Sequence, residues 1–64
     1  MADKVKWAQY ADGETHQLRE YEIRYKHGCT MSDFRKRLSM YARRHGRAYT
    51  VHKSLGVLHF RIGG

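Results

Sequence analysis

The spacing of apolar and polar residues divides the chain into four stretches. Residues 4–10 alternate, with Val5 and Trp7 on one side and Lys4, Lys6 and Ala8 on the other, a strand pattern. Asp12-Gly13 is a turn signal. Residues 18–26 alternate again, setting Arg19, Tyr21, Ile23 and Tyr25 against Glu20, Glu22 and Arg24. A first hairpin over residues 4–26 follows. A two-residue turn at Asp12-Gly13 splits its apolar residues between faces. Pairing Trp7 with Tyr21 and Val5 with Ile23 keeps them together and needs a longer loop or a bulge.

After Gly28-Cys29-Thr30 the period becomes helical. Phe34, Leu38, Tyr41, Ala42 and His45 form one stripe, which predicts a helix over residues 31–45. Thr30 is the expected N-cap, with Asp33 three residues on and Ser32 as a rival, and Gly46 is the expected stop. Residues 47–52 and 57–62 are rich in β-branched and aromatic side chains and predict a second hairpin over residues 47–62. A loop of Lys53-Ser54-Leu55-Gly56, closed by Gly56 in the left-handed region, pairs Val51 with Leu58 and Tyr49 with Phe60. Gly63-Gly64 reads as a frayed tail.

The expected fold class is therefore α+β, one small domain over residues 1–64 in the order β-β-α-β-β, with an amphipathic helix across an antiparallel sheet. Its expected core is Val5, Trp7, Tyr21, Ile23, Phe34, Leu38, Tyr41, Val51, Leu58 and Phe60. The edges of such a sheet offer a contact for a homodimer. A chain of 64 residues holds a single domain and leaves little room for a closed active site. No apolar run approaches the roughly 20 residues of a membrane span, and the start of the sequence lacks a secretory apolar region. One cysteine cannot form an internal disulfide, so an intracellular, cytoplasmic setting is expected.

Charge sharpens this picture. Residues 1–28 balance five basic against five acidic side chains, whereas residues 29–64 set eight basic residues against Asp33 alone. The formal excess of +7 therefore belongs to the second half. Arginine outnumbers lysine there, and its guanidinium fork suits phosphates and base edges better than an ammonium does. At about 100° per residue, Lys36, Arg43 and Arg47 point away from the apolar stripe, with Arg37 and Arg44 on one flank and Arg35 on the other. These six, supported by Lys53 and Arg61 on the hairpin, are the expected nucleic-acid contacts, with duplex DNA favoured. Single-strand binding needs exposed stacking aromatics, and only Tyr10 and Tyr25 are spare. Met40, amid the basic face, is an ordinary exposed residue or a contact to a protein partner.

Catalytic and metal chemistry find little support. His27-x-Cys29 is too tight for structural zinc, and His52 and His59 supply at most two ligands across the hairpin. Cys29 has neither a positioned base nor an oxyanion site, and no phosphate-cradling loop is present. The expectation is a non-enzymatic protein without cofactor or metal.

The run Tyr41-Ala42-Arg43-Arg44-His45-Gly46-Arg47-Ala48-Tyr49-Thr50-Val51, followed by a hairpin ending Phe60-Arg61-Ile62, resembles the C-terminal half of small, mostly uncharacterised basic phage-type proteins. Those have a helix, an Arg-His-Gly break and a terminal hairpin. The resemblance covers roughly half the chain and carries no established activity, so it transfers no functional residue. It implies a phage or mobile-element origin and, with it, a rival function. The rival is an inhibitor whose basic surface occupies an acidic or nucleic-acid-binding site on a host protein.

Overall fold

The computed structural model describes residues 5–63. A 3₁₀ turn, Trp7–Gln9, leads to strand β1 (Thr15–Arg19), helix α1 (Glu20–His27), helix α2 (Met31–Arg44) and the hairpin of β2 (Tyr49–Ser54) and β3 (Val57–Ile62). The sheet is antiparallel in the order β1-β3-β2. The α+β class stands, but the order of elements is β-α-α-β-β.

The first expected hairpin does not form. Its Lys4 and the terminal Gly64 lie outside the described residues, and residues 7–9 wind into the 3₁₀ turn. Trp7 stays buried because its ring packs on Phe34 at 4.9 Å and on Tyr41 at 6.0 Å. Residues 20–27 are helical rather than extended. Ion pairs Glu20–Arg24 and Glu22–Lys26 run at helical spacing, at 3.5 and 3.9 Å. Glu22 Oε1 accepts the Arg19 backbone N–H at 3.1 Å, and Gly28 closes the helix in the left-handed conformation (φ 66°). In this helix Ile23 and His27 face inward, while Tyr21, expected in the core, is 67% exposed.

Helix α2 matches its sequence signals. The Thr30 hydroxyl accepts the Asp33 N–H at 3.1 Å. At the far end Gly46 N–H and Arg47 N–H donate to the Arg43 and Ala42 carbonyls, a Schellman closure with Gly46 at φ 62°. Met31, Phe34, Leu38 and Ala42 pack inward, whereas His45 is exposed and rests its ring on Tyr41 at 4.4 Å.

The second hairpin is tighter than expected. Leu55 and Gly56 alone form the turn, both with positive φ (53° and 75°), as in type I′. Val51 therefore pairs with Phe60, Tyr49 with Ile62, and Lys53 with Leu58. The slip is two residues, so each side chain keeps its face. Gly63 is no loose end: its N–H donates to Ala48 O at 2.7 Å. The core is Val5, Trp7, Tyr10, Leu18, Ile23, Met31, Phe34, Leu38, Leu58, Phe60 and Ile62, with Tyr41 and Val51 packed against it. Leu58, Phe60 and Ile62 line the sheet face that the helices cover. Tyr10, expected to be spare, is buried.

Candidate nucleic-acid interface

Helix α2 follows α1 across the three-residue turn Gly28-Cys29-Thr30 and leads directly into the β2–β3 hairpin. Its inner stripe is fixed in the core, which forces the remaining side chains outward. The structure divides the basic residues expected at the interface into three groups.

Arg35, Lys36 and Arg43 are exposed on the side of α2 that faces β2 and solvent. Arg35 and Lys36 line a shallow groove with Ser32, Ser39 and Val51. Strand alternation puts Lys53 on the same side of β2 as Val51, two residues nearer the hairpin tip, and not on the outer face with His52. Tyr49 joins this group from the base of the strand. The Ser39 hydroxyl, and secondarily the Arg43 charge, draw its phenol pKa below the ordinary value, so Tyr49, Ser39 and Arg43 form one polar cluster. Sequence patterning placed Tyr49 opposite Phe60 on the apolar face of the hairpin and gave its hydroxyl no role. The signal was available in the helix, since Ser39 and Arg43 are four residues apart on the flank nearest the strand.

Arg37 and Arg44 lie on the other flank. They border a groove with Trp7, Met40 and Tyr41, and Met40 is 55% exposed. Met40 thus adds to an apolar floor between the 3₁₀ turn and α2.

Arg47 and Arg61 are brought to neither flank. Helix α2 ends before Arg47, whose Nη1 donates to Gly63 O at 3.0 Å. Arg61 is on the outer sheet face, and its Nε donates to Gly13 O at 2.7 Å. Both close the polypeptide against β3.

No protein-family model, curated protein or solved structure matches this chain. The site's own geometry is therefore the guide to what it does.

Metal-ligating side chains do not assemble: among the described residues no three His, Cys, Asp or Glu groups converge. His52 and His59 pair across the hairpin with stacked rings, 4.8 Å apart and 9° from parallel, on the outer face. His27 is buried, stacked on Phe34 at 5.4 Å and hydrogen-bonded through Nε2 to the Tyr10 hydroxyl at 2.8 Å. Cys29 is partly buried against the core. Among the described residues no helix is long and apolar enough to cross a membrane.

Proposed function

We propose that this protein is a non-enzymatic duplex-DNA-binding domain, of phage or mobile-element type, in which α1 and α2 act as a helix-turn-helix. In this reading α2 lies in the major groove and the β2–β3 hairpin reaches the neighbouring backbone as a wing. One observation carries it: Arg35, Lys36 and Arg43 on the free side of α2 adjoin a hairpin that turns Lys53 the same way. A helix-turn-helix joins its helices by about three or four residues, often with glycine, and reads bases from the second helix. The turn Gly28-Cys29-Thr30 has the length and glycine of such a connection, and the basic residues of the 14-residue α2 support its role as the second helix. Arginine on the helix supplies base-edge and phosphate contacts, while Ser32 and Lys53 supply further phosphate donors.

The test is a binding titration against duplex DNA, single-stranded DNA and RNA at several salt concentrations. Duplex affinity is expected to be highest and to fall steeply with salt. Absence of duplex binding at low salt overturns the reading.

A second reading, binding to an acidic site on a host protein, draws on Met40 and the apolar groove it shares with Trp7 and Tyr41. Here a stoichiometric complex survives nuclease treatment and is lost in Met40→Asp, while DNA affinity in that variant is unchanged.

A further inference from the structure

Leu55 is rewarded neither by its backbone nor by burial. It is the one non-glycine residue with positive φ among the described residues, at φ 53°, and it is 96% exposed. The first central position of a type I′ turn favours Asn, Asp or Gly, because a Cβ in the left-handed region crowds the carbonyl that follows. Leucine there holds a strained backbone and projects an isobutyl group into water. Strain and exposed apolar surface together at one position call for a role outside the fold.

The surroundings specify that role. The last three residues of β2 are exposed, so the hairpin end extends clear of the core. Leu55 is at its apex, after Lys53 and Ser54. The minor groove of DNA, about 6 Å wide, admits a single apolar side chain at such an apex while the cationic shoulder behind it stays at the phosphate rim. Apolar side chains inserted between base steps there unstack them partly and kink the duplex.

We propose that Leu55 is a wedge that enters the minor groove beside the major groove occupied by α2 and bends the DNA. This rests on the duplex-binding reading above. The kink closes the duplex toward the basic side of α2, so the cost of unstacking is offset by contacts to Lys53 and the helix arginines. A flexible pyrimidine–purine step is the natural point of entry, because it unstacks most easily.

The experiment measures end-to-end energy transfer on a doubly labelled duplex with the wild-type protein, Leu55→Asn and Leu55→Ala, alongside affinity across salt. Wild type is expected to shorten the end-to-end distance. Both variants are expected to leave the duplex straight and to bind about tenfold more weakly, as one inserted apolar side chain is lost. The dependence on salt becomes shallower in both variants, since a straight duplex no longer closes onto Lys53 and the helix arginines. Leu55→Asn should also melt at a higher temperature than wild type, because Asn tolerates the turn, so its loss of bending cannot be ascribed to unfolding. Salt-dependent binding to a straight duplex, or equal bending by Leu55→Asn, overturns the wedge and leaves the binding function intact. Failure of wild type to bind any duplex overturns both.

Discussion

The Tyr10 phenol packs edge-on against His27, Phe34 and Phe60, and its hydroxyl hydrogen-bonds His27 Nε2 at 2.8 Å. Burial, and secondarily the charge of Glu22, push its pKa above the ordinary 10.0. A raised value means that the folded chain favours the neutral phenol. The resulting stability is complete below pH 10 and is lost as pH rises through the folded value. Tyr10→Phe is expected to cost about 1–2 kcal/mol at neutral pH through the lost hydrogen bond. It should also reduce the decline of stability on the alkaline side, which urea unfolding at pH 8 and above reads directly. Asp12 works at the other extreme. The Glu14 backbone N–H and His16 Nε2, each at 3.0 Å, hold its carboxylate below the ordinary 3.8. Its contribution is present above that value and disappears as pH falls through the folded one. Asp12→Asn keeps an acceptor for the turn and should flatten the acid limb of the same unfolding profile.

Helix α2 and helix α1 differ in how openly the sequence announces them. In α2 the cap, the apolar stripe and the glycine stop agree, and the structure follows them to within one residue at the C-terminal end. In α1 only Ile23 and His27 face the core, so the apolar signal is thin, and the alternation of Tyr21, Ile23 and Tyr25 imitates a strand. Charge spacing held the better signal: Glu20 to Arg24 and Glu22 to Lys26, then Gly28, is helical grammar. Misreading α1 hid the three-residue connection Gly28-Cys29-Thr30 that joins it to α2. The long-range pairing of β1 with β3 was also out of reach, because neither hairpin logic nor local periodicity joins Leu18 to Leu58. Besides the stack of His27 on Phe34, a hydrogen bond ties the two helices to each other. Glu20 Oε2 accepts the Met31 N–H at 2.8 Å, so the first residue of α1 caps the first turn of α2. Glu20→Ala is expected to destabilise the domain by about 1–2 kcal/mol, because a part-buried donor loses its partner. Glu20→Gln, which retains an acceptor, should recover much of that loss in the same thermal or urea transition.

Across the whole molecule, position in the fold separates arginines that the sequence leaves equivalent. The second half carries all of the excess charge, yet two of its basic residues serve the fold: Arg47 caps Gly63 and Arg61 caps Gly13 across the outer sheet face. Arg35, Lys36, Arg43 and Lys53 remain for one side, while Arg37 and Arg44 border the other groove; among the described residues no acidic side chain lines either groove. If phosphate is the ligand, the salt dependence counts the residues that touch it, at about 0.9 unit of slope for each contact removed on duplex DNA. The triple variant Arg35→Gln, Lys36→Gln, Arg43→Gln should therefore flatten the plot of log affinity against log salt by about 2.7 units. Its melting temperature should stay close to that of wild type, since all three side chains are exposed. Arg61→Gln should do the reverse, lowering the melting temperature through the lost bond to Gly13 while leaving the slope unchanged. A slope that flattens by the same amount per charge removed in both variants would mean that bulk charge, and not the α2 face, attracts the polyanion.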